Sequence, residues 1–468
     1  MNTILQMLLY TRILYPRSKK ASWELYEDFL PAARAEKVQL HQVYRALDLI
    51  ADKNDLIQEF VYRSTEKFCR RNTDILYYDC TNFFFEIENE DSFRKYGHSK
   101  ECRPNPIVQM GMFIDGDGIP LAVTVYPGND SEQHSLKPLE SKILKDFELS
   151  RFIVCTDAGL ASKANRLFNS VDGRRYIVTQ SLKNLPEPVQ EWVLEPAGWM
   201  LEGDTGHKFY NISEVDENVH LNSIFYKEQI VPITGIDQRL VVTYSIQSRN
   251  YQHTIRQRQI DRAVKTVTLT PAKMEEKRQT DYKRLIQMSF FTEEGELSTR
   301  KQLRLDTETI SREEMYDGFY GICTNLMPGT EEHPDGTTAD EILRINHMRW
   351  QIEDCFRDMK SEFKSRPVYL SRENRIKAHF LLCCLSLILL KYLEKTLRDA
   401  KYTDFTTEML LNQLKEVSMI HLKGHGYFPA FNPSPLLSAL QDTFKIPISK
   451  EIITEKSMKK ITSVSSQE

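Results

Sequence analysis

Apolar and polar positions follow three regimes along the chain. Up to about residue 72 the apolar residues recur at helical spacing. Met1 opens inside an apolar run, ILQMLLYTRIL, with no capping residue before it, the look of a chain whose upstream part is missing or whose start is placed late. Leu40–Ala51 and Leu56–Phe68 predict two amphipathic helices around the polar break Asp52-Lys53-Asn54-Asp55. That pair fits a helical packing region, and it also describes a helix-turn-helix, although no set of groove-reading side chains stands out. From residue 73 the spacing becomes that of strands: Ile75–Asp79 running into Phe83-Phe84-Phe85, then Val108–Ile114 and Leu121–Tyr126, with Asp115-Gly116-Asp117-Gly118 as a hairpin turn. A helix at 135–147, the strand Phe152–Thr156 ending on Asp157, a helix at 162–168 and the strand Tyr176–Gln180 follow. Three antiparallel strands feeding alternating helices and strands predict an α/β fold, a mixed sheet with helices on both faces.

From Leu185 to Pro334 short strand candidates alternate with turns: 209–212, 224–226, 240–246 and 319–324. This stretch reads as a β-rich insertion. Thr338–Phe363 then reads as one long amphipathic helix, with Thr338 and Glu341 as a capping box. The apolar stretch 376–396 reads as a buried helix, with His379 at its edge, and Thr406–Ser418 as a last helix before a Gly/Pro loop and a polar tail. The expected organisation is an N-terminal helical region at 1–72, a core in two parts at 73–184 and 337–400, the insertion at 185–336, and a C-terminal helix and tail at 401–468.

Composition adds limits. The chain has 468 residues and a net charge of −4, so any nucleic-acid surface must be local. From Arg249 to Arg284 ten Lys or Arg face four acids, the strongest basic segment available, which a solvated helix face would also explain. Eight scattered cysteines form no CxxC and no zinc spacing, as in a reducing cytoplasm. The run Phe380–Leu390 is shorter than the ~20 residues that span a bilayer, and no membrane partner is expected.

Candidate chemistry concentrates on three carboxylates. Asp79 and Asp157 lie in or at the end of apolar strands, where an unpaired carboxylate is costly: each is either hydrogen-bonded and structural or holds a metal. Arg349, Glu353 and Lys360 share one face of the long helix, a carboxylate between two cations. A salt-bridged surface helix has the same spacing. If the three acids converge, they offer the oxygen ligands that Mg²⁺ accepts, and the cations hold phosphate. Asp354 is the rival ligand, one residue off that face.

The segments YYDCTNFFFE (77–86), VCTDAGLAS (154–162), YIVTQSLK (176–183) and RWQIEDCFRDMKSE (349–362) resemble those of DDE transposases from bacterial insertion sequences, in order as well as wording. The resemblance covers roughly residues 73–395. It implies a ribonuclease-H-like catalytic fold split by a β-rich insertion before the helix carrying the Glu. Asp79, Asp157 and Glu353 match the family's catalytic, metal-binding acids. Arg349, Glu353 and Lys360 match a Tyr-x2-Arg-x3-Glu-x6-Lys signature, with Asn346 where the Tyr is expected. The implied activity is two-metal cleavage at terminal inverted repeats and strand transfer into target DNA, with two Mg²⁺ ions (Mn²⁺ substituting), a DNA-bound homodimer, and action in the bacterial cytoplasm at the nucleoid. Arg349 and Lys360 would contact DNA. Trp199 is a candidate to stack on a flipped base, and the loop His98–Arg103 to touch DNA backbone. Two other functions fit the same residues: a metal-dependent nuclease that does not join strands, and a truncated, non-catalytic DNA-binding remnant.

Overall fold

The switch from helical to strand spacing at residue 73 marks where the chain enters its first sheet. The computed structural model describes residues 2–25, 38–204, 206, 208–233, 235–269, 281–291, 297–329 and 336–462. The chain forms two compact units: Met1–Cys155 with Asp172–Arg174 and Met348–Glu468, and Thr156–Val171 with Arg175–His347.

The first unit opens with helices α1 (Asn2–Leu14), α2 (Lys19–Leu25), α3 (Leu40–Asp52) and α4 (Asn54–Phe68). On α3 the apolar positions Val43, Ala46, Leu47 and Ile50 are all buried, as their spacing requires. Strands β1 (Ile75–Phe84), β2 (Ile107–Asp115) and β3 (Pro120–Pro127), helix α5 (Leu136–Asp146) and strand β4 (Ile153–Thr156) follow. Their order in the sheet is β3-β2-β1-β4, antiparallel except for the parallel pair β1–β4, where Tyr77 is in register with Cys155. This is the mixed sheet expected. Side chains alternate across β1. Tyr78 turns to one face, where its hydroxyl meets Ser135 Oγ at 2.6 Å, just before α5. Phe83 turns to the other.

The second unit holds α6 (Lys163–Phe168), β5 (Arg175–Gln180), α7 (Glu187–Leu194), β6 (Met200–Leu201), β7 (Phe225–Ile233), β8 (Ile236–Tyr244), α8 (Ile246–Leu269), β9 (Ile286–Phe291), β10 (Leu297–Leu305), α9 (Thr307–Glu314), β11 (Phe319–Thr324) and α10 (Ala339–His347). Its strands run in the order β5-β11-β8-β7-β6, and β9 and β10 form a separate hairpin. The stretch read as β-rich therefore also contains a 24-residue helix, α8. The basic segment falls largely on that helix; residues 270–280 lie outside those described. Several of its cations are spent internally: Arg256 pairs with Asp317, Arg249 with Glu217 at 2.7 Å, and Arg284 with Glu313 at 2.7 Å. Arg258, Arg262 and Lys265 remain exposed. The strand expected at 209–212 is reduced to a single bridge, Trp199 to Tyr210.

The first unit closes with α11 (Trp350–Ser361), α12 (Glu373–Asp399), α13 (Thr407–Glu416), the hairpin β12 (Met419–Leu422) and β13 (Gly426–Pro429), α14 (Pro435–Phe444) and α15 (Glu455–Thr462). The helix expected as one piece from 338 to 363 is thus two. At Met348 and Arg349 the bonding shortens to three-residue turns, with Gln351 N donating to Met348 O and Ile352 N to Arg349 O. Helix α12 is long and apolar enough to cross a membrane by length and composition, but it is largely buried. Phe380 on α12 packs on Phe83 of β1, ring centroids 4.6 Å apart. His379 is not an edge residue: it is buried, with Nε2 3.0 Å from Ser365 O.

One polar pair fixes the β2–β3 hairpin. Arg71 and Asp115 are fully buried and joined directly. Arg71 also donates to Ile119 O and Pro120 O, and Asp115 accepts from the amides of Asp117 and Ile119. Removing one partner leaves an uncompensated buried charge. Asp115→Ala is expected to destabilise the protein by about 3–5 kcal/mol, read as a lowered unfolding midpoint of the first unit; a shift equivalent to less than about 1 kcal/mol would contradict the role given to this pair.

Candidate active site

Alternation along β1 sends Asp79 to the face that Phe83 occupies, the face covered by α12. Its neighbours Tyr78 and Cys80 are buried, and Asp79 itself is half-buried, with one oxygen accepting from the Cys80 amide at 2.7 Å. Glu353 stands in the first turn of α11, where the helix dipole favours a carboxylate. Its side chain is 63% exposed and lies 3.9 Å from Arg349. Asp79 and Glu353 line the same open cavity of about 440 Å³, together with Lys100, Arg357, Lys360 and Arg366.

The cations are held in place by specific contacts. Asn82, buried on β1, donates to His98 O at 3.0 Å and accepts from Lys100 N at 3.2 Å, so it clamps the 98–103 loop against the strand. Lys100 Nζ then donates to Cys80 O and pairs with Glu132 at 3.3 Å. Burial works against the charge on Lys100, but Asp79 and Glu132 outweigh it and hold its pKa above the ordinary value. Lys360 lies over the Phe83 ring at 5.5 Å and 3.3 Å from Glu101, which also pairs with Arg366. Burial, aided by the nearby charge of Lys100, pushes the Lys360 pKa down to about 8, with Asp79 pulling the other way. A phosphate entering here meets two ammonium groups on the cavity wall, of which Lys360 is the more buried.

The structure therefore brings Asp79, Glu353 and Lys360 to one cavity. Arg349 flanks Glu353 but does not line it. Asp354 is turned to Arg357, 2.8 Å away. Asp157 follows β4 directly, half-buried, at the head of the turn Ala158–Leu160. Lys100 and Arg366 come from loops, and only the polar 98–103 stretch hinted at the first of them. Trp199 cannot serve as a stacking platform: it is fully buried in the core of the second unit, edge-on to Phe319 at 5.7 Å, with its indole N–H donating to Glu195 O.

Carboxylate oxygens are the donors that a hard divalent cation takes, so Asp79 and Glu353 fit Mg²⁺ or Mn²⁺ in kind. Among the described residues no three His, Cys, Asp or Glu side chains converge as a metal cluster.

Residues 229–389, from β7 into α12, match the family described as transposase DDE domain. The match spans about a third of the chain, across the second unit and into the first. The matched segment contains Arg349, Glu353 and Lys360; Asp79 and Asp157 precede it. No curated protein matches the chain. Among solved structures, the chain is similar to the piggyBac transposase synaptic complex with hairpin DNA, at 8% identity over 98% of this chain and 84% of that one, with a TM-score of 0.37. It is also similar to Mos1 transposase in a paired-end complex with the left transposon end and to the Mos1 mariner paired-end complex with Mn, both at 14% identity. Those two matches cover 35% of this chain and 54% of theirs, at TM-scores of 0.15 and 0.16, so the chain aligns with about half the length of the Mos1 proteins.

Asn82 supports Lys100 without touching the cavity's carboxylates. Asn82→Ala is expected to lower the melting temperature by leaving His98 O and Lys100 N without their partner and, on the function proposed below, to lower the metal-dependent DNA cleavage rate by about tenfold, by analogy with supporting contacts at metal sites. A rate within about twofold of wild type would show that Lys100 does not need this clamp.

Proposed function

We propose that this protein is the transposase of a bacterial insertion sequence, cutting at the element's terminal inverted repeats and joining the ends to target DNA. The observation that carries the reading is the cavity that Asp79 and Glu353 line together with the cations Lys100 and Lys360. The segment from Arg349 to Lys360 within the transposase domain match supports it. Asp79, Asp157 and Glu353 would hold two Mg²⁺ ions, with Mn²⁺ able to replace them. Asp157 is included because VCTDAGLAS (154–162) resembles the segment that carries the family's second acid. When bound, the ions would lower the pKa of an attacking oxygen and stabilise the departing one in an in-line displacement at phosphorus.

The chain's own residues supply the rest. Lys100, Lys360 and Arg366 hold the scissile phosphate by charge-assisted hydrogen bonds. Arg349 sets the side chain of Glu353 from the neighbouring turn. Cleavage breaks a P–O bond by attack of water and leaves a 3′-hydroxyl. Joining breaks a target P–O bond by attack of that hydroxyl, and each step gives up the attacking group's proton. The protein would act as a DNA-bound homodimer in the cytoplasm, at the nucleoid. The core at 73–184 and 337–400, the insertion at 185–336 and the helical regions at either end are the proposed working parts.

The test is incubation with a labelled duplex carrying the element end, with and without Mg²⁺ or Mn²⁺. Wild type should give metal-dependent products at the element boundary and, with target DNA, joined products. Asp157→Ala and Glu353→Gln should each reduce both by more than about 100-fold while sparing DNA binding. Equal cleavage by Asp157→Ala would remove it from the site. Cleavage without joining would make the protein a nuclease, and end binding without cleavage a DNA-binding remnant.

A further inference from the structure

A cation-lined cavity of the first unit lies next to the candidate active site and shares Arg366 with it. It has a volume of about 660 Å³, within the range of sites that hold a nucleotide-sized ligand. It is walled by α1, α2 and the 364–370 turn. Among the described residues, six of its lining side chains are Lys or Arg and none is Asp or Glu.

Two of these cations are almost fully buried. Arg12, 4% exposed, spends its Nη atoms on Phe363 O at 2.8 Å and Arg17 O at 3.1 Å, while its Nε has no partner among the described residues. Lys19, 5% exposed, has neither a carboxylate nor a hydrogen bond among the described residues. A buried ammonium without a counter-ion is costly. Burial first, and Arg12 second, push its pKa down to about 7. Tyr369, 73% exposed, offers an aromatic face at the rim. Arg366 belongs to the walls of both this cavity and the one holding Asp79 and Glu353.

We propose that this pocket binds a phosphate of a single-stranded DNA segment leaving the active site, with Lys19, Arg12 and Arg17 on the phosphate and an adjoining base stacked on Tyr369. The continuity through Arg366 carries the path: a strand whose scissile phosphate lies by Arg366 has its next phosphates within reach of the cations beyond it. The proposal rests on the reading of the Asp79/Glu353 cavity as a DNA-cutting site. Cation-lined grooves with aromatic stacking faces are the general means of holding single strands.

The test is metal-free binding of a labelled single-stranded oligonucleotide to the full chain across a range of salt, beside inorganic phosphate as competitor. Lys19→Gln should weaken binding roughly tenfold and flatten the salt dependence by about 0.7 in log–log slope, the share of one phosphate contact on a single strand. Lys19→Arg should restore the slope. Arg17→Gln, at an exposed position where folding is not at stake, should flatten it too. Tyr369→Ala should weaken binding about tenfold without changing the slope. Wild-type affinity and slope in Lys19→Gln and Arg17→Gln would overturn the pocket. So would inorganic phosphate that binds the pocket without displacing the oligonucleotide, which would mark a free-anion site. The function reading fails separately: if wild type binds the oligonucleotide as described but cuts no duplex end in Mg²⁺ or Mn²⁺, the pocket stands and the catalytic assignment falls.

Discussion

A carboxylate on a strand packed with aromatic side chains is the constraint on which the first unit turns. Asp79 sits between buried residues on β1, and such a position is tolerable only with charge or hydrogen-bond compensation. Its own next amide supplies one hydrogen bond and Lys100 supplies nearby charge. Lys100 is there because Asn82, three residues further along the same strand, clamps its loop. The sequence DCTN thus encodes both the acid and the hook for its cation. The same acid offsets part of the desolvation of Lys360. The electrostatic balance is local and mutual: remove Asp79 and two partly buried ammonium groups are left facing each other.

The scaffold holding β1 is built from the opposite kind of contact. One face of the strand meets α5 through the Tyr78–Ser135 hydroxyl pair, the other meets α12 through Phe83 and Phe380. The β2–β3 turn is pinned by Arg71 and Asp115, and it approaches α11 closely. Gly118, in the left-handed region at φ 79°, leaves room for Gln351 where a Cβ would not, and Cys355 reaches the Gly118 carbonyl at 3.4 Å. That approach ties the helix bearing Glu353 to the sheet bearing Asp79. Rigidity at the site comes from this packing, whereas the cations on loops supply the charge.

Much of this was legible because period and chemistry agreed. The strands of the first sheet, the Asp115–Gly118 turn and the buried helix α12 all follow from spacing and turn residues. What was not legible has physical causes. The break between α10 and α11 has no Gly or Pro to announce it, and the apolar period runs straight through Met348 and Arg349. Helix α8 is mostly polar, and its ties are ion pairs such as Arg256–Asp317, made across 61 residues of sequence. Trp199 looked available because exposure of a single aromatic is invisible in sequence; its burial is decided by Tyr244 and Phe319, distant along the chain. Lys100 and Arg366 could not be paired with Asp79 and Glu353, since loops acquire their place only from the tertiary fold.

Net charge was the least informative quantity of all. A chain of −4 does not look like a binder of polyanions. Yet the segment richest in cations, 249–284, spends several of them on acids from elsewhere in the second unit, Glu217, Glu313 and Asp317. The cations around Asp79 and in the α1–α2 cavity come from three separated stretches: residues 12–20, 100 and 357–366. Each is unremarkable where it stands in the sequence. Folding gathers them, around Asp79 together with acids such as Glu101 and Glu132 that fix them, and it buries Lys19 and Lys360 so that their charge is poorly screened by water. A field produced this way is short in range and strong at contact. It favours a phosphate that has already docked, where a uniformly basic surface would attract DNA from a distance.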